Sequence, residues 1–298
     1  MATTAIFVLG MHRSGTSATA ATLGLLGAHL GGHLIPPRPD NPKGFFEDSR
    51  CVNTNIKLLR NFGTDGTGGV ALPVNWKEHP EVQALRPRMK EILGALGRKQ
   101  VYAIKDPRLS LTAELWFEVA ASLGQEIKVV VAARHPLQVA KSLEKRDNLA
   151  RFRAYLSWLL HTIQAVRLAG SYPHAYLAFE DLQTQTDECV ARLVKLVARP
   201  QRFFVDEQRR AAIEEFLDPS LVNSRDTVDE DFPDLGRELS TLYEALSKGD
   251  EVAFKRCLQQ GSLLMYTKMT ALYRAHLAAI SKLPGAAAPE DARSAVGT

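Results

Sequence analysis

A short apolar run, Ala5-Ile6-Phe7-Val8-Leu9, leads directly into Gly10-Met11-His12-Arg13-Ser14-Gly15-Thr16-Ser17 and then into an Ala/Leu-rich stretch ending at Leu26. An unalternated apolar run of this length reads as a strand buried on both faces, and the stretch from Ser17 reads as a helix. A glycine-containing turn between them presents backbone N–H groups at a helix N-terminus, where the aligned peptide dipoles favour an anion. The chain is thereby constrained to an α/β arrangement with a ligand-binding edge.

The remaining pattern agrees. Val101 to Ile104, Ile127 to Ala133 and His174 to Phe179 read as further strands. Helical patterns lie between them, at Val82 to Leu96, Leu111 to Leu123, Leu137 to Leu143 and Phe152 to Leu168. This alternation predicts an α/β fold with a central parallel sheet. From about Leu182 the pattern is helical: Cys189 to Val197, Asp206 to Phe216, Leu235 to Leu246 and Val252 to Ile280. A single domain is expected over residues 1–283, with a helical cap from about 183 and a disordered tail over 284–298. Two long loops, Leu34 to Gly44 with four prolines and Asn61 to Pro80 with a glycine cluster from Gly63 to Gly69, are expected to frame a binding pocket.

In the 298 residues, 37 Lys and Arg face 33 Asp and Glu, a net +4 that is too small for a general nucleic-acid or membrane-surface binder. The excess is local. Arg134 to Arg153 holds six cations and two acids, whereas Asp226 to Leu235 is acidic, and this points to a small polyanion as partner. A hydrophobic content of 45% excludes disorder, and no apolar run approaches the length of a membrane span. Cys51, Cys189 and Cys257 are odd in number and widely spaced, which fits a reducing compartment and no zinc site. A cytoplasmic protein is expected.

The octet nearly matches the phosphate-binding P-loop G-x-x-x-x-G-K-[ST]: Gly10, Gly15 and Ser17 fit, but Thr16 stands where the lysine belongs, and the cation is Arg13. The anion nest survives this change, whereas the triphosphate-binding lysine is lost. Asp106 follows a strand, but its Pro107-Arg108 context is unusual for a metal ligand.

Three elements together, Arg13-Ser14-Gly15-Thr16-Ser17, Lys105-Asp106-Pro107-Arg108 and Arg134-His135-Pro136 with Ser142, resemble the sulfotransferases that use 3′-phosphoadenosine 5′-phosphosulfate (PAPS). The likeness spans about residues 5 to 182. It implies a P-loop-type three-layer sandwich with a helical C-terminal extension, a loop His12 to Ser17 that holds the 5′-phosphosulfate, and Arg134 and Ser142 on the 3′-phosphate. Lys105 would approach the phosphosulfate and, with Arg13, supply positive charge to the transfer. No metal is expected. The acceptor would be a small molecule or glycan; the sequence names neither it nor the oligomeric state.

In many members of that family the base is a histidine two residues after the strand-end lysine, where this chain has Pro107. Other branches use a glutamate beyond the first helix, which here implies Glu47. Read as the opening of a helix with Val52, Ile56 and Leu59 on its apolar side, Glu47 would have its pKa lowered by the helix N-terminus. Asp106 is the second candidate base, or orients Lys105. Phe179-Glu180-Asp181-Leu182 resembles a family element read as sheet-edge packing with Asp181 capping a helix, and Arg225 is a further candidate for the 3′-phosphate. Two other readings are an ATP-dependent P-loop kinase acting on a small metabolite and an inactive nucleotide-binding protein.

Overall fold

Strands β1 (Thr4–Leu9), β2 (Val101–Lys105), β3 (Glu126–Ala133) and β4 (His174–Ala178) form one parallel sheet in the order β2-β1-β3-β4. The computed structural model describes residues 2–39, 41–67, 71–217 and 227–259. Both sheet faces are covered. Ala5, Phe7 and Leu9 of β1, Tyr102 and Ile104 of β2, and Val129 and Val131 of β3 enter one core cluster. Ile6, Val8, Val101, Ala103 and Val130 enter the other. This two-sided burial is why the strands read as continuous apolar runs.

On the first face lie α2 (Ser49–Arg60), α4 (Arg86–Gly97), α5 (Leu109–Ser122), α7 (Arg151–Ala169) and α11 (Pro233–Ser247). On the second lie α1 (Thr16–Leu25), α9 (Thr186–Val197) and α10 (Glu207–Phe216). The short α3 (Pro80–Gln83) precedes α4, α6 (Pro136–Asp147) follows β3, and α8 (Phe179–Thr184) follows β4. The result is an α/β three-layer sandwich. The helices after β4 pack on both layers: α9 contacts β4, α10 contacts α1, and α11 contacts α6, β3 and β4.

The order β2-β1-β3-β4 sends the chain from β1 to one side of the sheet and from β3 to the other. A crevice therefore opens beyond the C-terminal ends of β1 and β3, the position where open α/β sheets bind ligands. Gly10 leaves one of these strand ends and Arg134 the other.

Two local expectations are corrected. α2 opens at Ser49, with the Asp48 carboxylate accepting from the Arg50 N–H as N-cap, so Glu47 precedes the helix instead of starting it. Asp181 lies within the first turn of α8, whose N-cap position is Ala178 with no side-chain cap, so Asp181 does not cap it. Residues 251–259 are helical, and the remainder of the expected Val252 to Ile280 helix lies outside the described residues, as do Gly68, Gly69, Arg225 and the 284–298 tail.

Candidate active site

The loop after β1 is shaped by two glycines and one strained arginine. Gly10 has φ +139°, and a Cβ there would stand 2.3 Å from the Ala132 carbonyl oxygen of β3. Gly15 has φ +82°, and its Cβ would meet the Phe179 ring at 2.7 Å. Arg13 takes the left-handed conformation at φ 68°, a costly geometry for a residue with a Cβ and one that clusters at functional sites. The Gly10 N–H donates to Ser110 Oγ on α5 at 2.8 Å, and the Ser14 N–H donates to the Met11 carbonyl, closing the turn. Gly15 occupies the N-cap position of α1 and no side chain caps that end. Ser14 is buried, and its Oγ has no hydrogen-bond partner.

At the end of β2, level with Val8 of β1, Lys105 is only 3% exposed. Its Nζ donates to Glu47 Oε1 at 2.6 Å, to Ser17 Oγ at 3.1 Å and to the Phe45 carbonyl at 3.2 Å. Glu47, Lys105 and the first turn of α1 are therefore one contact group. The segment bearing Glu47 is anchored to α1 as well, since Ser17 Oγ donates to the Phe45 carbonyl, and Asn41 Nδ2 donates to Ser17 Oγ and to the Gly44 carbonyl.

Burial raises the Glu47 pKa above the ordinary carboxylate range; Lys105 opposes this and the Asp106 charge adds to it. The lowering expected from a helix N-terminus is thus replaced by its opposite, because Glu47 lies before the cap and is 7% exposed.

Asp106, 0% exposed, makes its hydrogen bonds with α2 and with Arg108, not with Lys105. Its Oδ2 accepts from Asn55 Nδ2 at 2.8 Å, and its Oδ1 accepts from the Arg108 N–H and Nη1, each at 3.0 Å. The orienting contact with Lys105 is replaced by these partners.

Across the crevice, Arg13 Nε donates to Ser142 Oγ on α6 at 2.8 Å. Arg134 Nε donates to Gln138 Oε1 at 3.0 Å, and the guanidinium lies 4.8 Å from the Phe179 ring centroid. Its pKa is lowered by burial, with Glu180 opposing and Arg13 assisting. The structure thus brings Arg13, Ser142 and Arg134 into one neighbourhood, where the loop and α6 are linked directly.

His12 faces inward, its ring 6.4 Å from that of His161 and its Nε2 buried. Burial, with Arg108 and His161 adding to it, holds its pKa well below the usual value. Its partner in the fold is thus α7.

Several contacting residues carry no mark in the sequence. Ser110, Gln138 and Asn55 reach the site from helices, and Tyr243 of α11 donates to Glu180 Oε2 beside Arg134. His135 Nε2 pairs with Ser240 Oγ at 3.0 Å. The basic stretch after Arg134 is partly neutralised, because Arg151 pairs with Glu144 and with Asp229 and Asp231 of the acidic run.

Among the described residues, no group of three or more His, Cys, Asp or Glu could hold a metal ion, and no helix is long and apolar enough to cross a membrane.

No family model matches this chain, and no curated protein does. Among solved structures it is similar to the sulfotransferase domain of the olefin synthase from Synechococcus PCC 7002, at 14% identity over 79% of this chain and 88% of that one, with a TM-score of 0.46. It is also similar to the sulfotransferase STF1 from Mycobacterium tuberculosis H37Rv, at 15% identity over 72% of this chain and 71% of that one, with a TM-score of 0.43.

Proposed function

We propose that this chain is a sulfotransferase that moves a sulfuryl group from PAPS to an acceptor hydroxyl by in-line attack. The observation that carries this reading is the Lys105 group: a buried ammonium bonded both to the first turn of the helix behind the anion loop and to a carboxylate whose proton affinity burial has raised. An anion cradle, a cation and a base in mutual contact are the parts such a transfer needs.

The residues fit the donor. The α1 N-terminus carries no side-chain cap, and Ser14 Oγ is buried without a partner. When bound, PAPS supplies a sulfuryl group on an anhydride linkage whose cleavage releases adenosine 3′,5′-diphosphate. The loop from His12 to Ser17 holds the 5′ end, with Arg13 on its charge. Arg134 and Ser142 hold the 3′-phosphate. Lys105 neutralises charge developing on the bridging oxygen. Glu47 accepts the proton of the attacking hydroxyl, and the upward direction of its pKa makes it a stronger proton acceptor than a solvated carboxylate. The acceptor S–O bond forms as the anhydride S–O bond breaks.

On this reading residues 1–283 form one unit, and the helical part from about 183 helps shape the acceptor side. The acceptor is a carbohydrate, a glycolipid or another hydroxylated small molecule. Three unpaired cysteines, Cys51 and Cys189 buried among them, suit a reducing, cytoplasmic setting.

Incubation with sulfur-labelled PAPS and a cell metabolite extract tests the reading. Label on a hydroxylated product is expected. Phosphate transfer from ATP with Mg²⁺, and no sulfate transfer to any acceptor, would replace it with the kinase reading.

A further inference from the structure

Two carboxylates, Glu47 and Asp106, stand near a single buried lysine, and only Glu47 pairs with it. The partition has a cause in the packing of α2. Asp106 is bound on both oxygens, by Asn55 Nδ2 on one and by the Arg108 backbone N–H and guanidinium on the other. The Asn55 amide is itself locked, because its Oδ1 accepts from Thr112 Oγ1 at 2.9 Å and from Trp116 Nε1 at 2.8 Å. An indole N–H only donates, so the amide oxygen must face Trp116 and the amide NH₂ must face Asp106. Asn55, Asp106, Thr112 and Trp116 are all fully buried.

The two contacts are rungs between the same two segments. Glu47 precedes α2 and meets Lys105; Asn55, within α2, meets Asp106, the next residue after Lys105. We propose that Asn55 is a positioning residue that holds the Asp106 carboxylate against α2 and so reserves Lys105 for Glu47, deciding which carboxylate acts as base. The inference rests on the sulfotransfer reading above for its functional meaning, and on the hydrogen-bond network alone for its geometry. In a desolvated site an ammonium is contested by every carboxylate that can reach it, because an unpaired buried charge is costly. Asn55 and Arg108 remove Asp106 from that contest.

The experiment is a ¹³C carboxyl NMR titration of Glu47, its resonance assigned with Glu47→Gln, in the wild type, Asn55→Ala, Thr112→Val, Asp106→Asn and Asn55→Ala/Asp106→Asn. Asn55→Ala removes the contact that holds Oδ2 and leaves Arg108 alone on Oδ1, so Asp106 competes for Lys105 through its released oxygen and the Glu47 midpoint moves upward as the charge opposing protonation is shared. Thr112→Val, which removes one of the two anchors on the amide oxygen, moves it the same way by less. Asp106→Asn alone lowers the midpoint simply by removing a neighbouring negative charge, and Asn55→Ala/Asp106→Asn, in which the competitor is gone, returns the midpoint to that same value.

A purely structural role lowers the melting temperature of Asn55→Ala and Thr112→Val and leaves the Glu47 titration where it was. An unchanged midpoint in whichever of these two folds, or a double variant that stays above Asp106→Asn, overturns the proposal. The titration needs neither donor nor acceptor, so it fails independently of the sulfotransfer reading, which falls instead if the wild type does not bind adenosine 3′,5′-diphosphate.

Discussion

Arg13 Nε lies 2.8 Å from Ser142 Oγ, a hydrogen bond that ties the turn after β1 to α6 across 129 residues of chain. The proposed 5′ and 3′ phosphate sites are therefore mechanically connected. Ser142→Ala removes both the proposed 3′-phosphate ligand and the restraint on Arg13. Losing one hydrogen bond to a charged group corresponds to about a tenfold weaker affinity for adenosine 3′,5′-diphosphate. Calorimetry on a variant with an unchanged melting temperature measures it, and wild-type affinity would remove Ser142 from the site.

Glu47→Gln keeps the shape of the buried pair and removes the proposed base. Turnover should fall by roughly 10²–10⁴ with nucleotide binding retained. Parallel measurements of turnover and of adenosine 3′,5′-diphosphate affinity separate the two roles; full turnover in the variant transfers the proton to another group.

The Gly10 backbone passes so close to β3 that a Cβ would collide with the Ala132 carbonyl, and its φ of +139° is one that other residues rarely adopt. Gly10→Ala should destabilise the fold by on the order of 2–4 kcal/mol. Urea unfolding provides the value, and a loss well below this range would mean that the turn can shift away from the sheet.

His135 and His161 are both pushed down to about 4, mainly by burial. In the unfolded chain each ring takes up its proton near the ordinary value of 6.5. Between these limits the unfolded state binds more protons, so stability rises with pH across the window and is lost as pH falls from 6.5 towards 4. His161→Phe keeps a ring beside His12 and should lessen that loss. Unfolding free energies at neutral and mildly acidic pH test this, and equal losses in variant and wild type would contradict it.

Much of the architecture was legible because burial on both faces leaves a clear mark. β1, β2, β3 and β4 carry unbroken apolar runs, and α7 carries its apolar face at helical spacing. The turn at Gly10 and Gly15 was legible because only glycine tolerates those positions. The start of α2 lies two residues beyond the expected one, since Glu47 and Asp48 are both acids suited to a helix start and only the Arg50 N–H contact shows which one caps. Asn55, Ser110, Gln138 and Tyr243 left no pattern to read. Each is a polar residue on a helix whose partner comes from tertiary packing or from a helical turn of its own, and no local spacing reports that.

The most direct test of the whole account is calorimetric titration of adenosine 3′,5′-diphosphate into the wild-type chain and into Arg134→Ala. The account predicts saturable binding to the wild type and its loss in a folded Arg134→Ala variant. Unchanged affinity in that variant, or stronger thermal stabilisation of the wild type by ATP with Mg²⁺ than by adenosine 3′,5′-diphosphate, would contradict it.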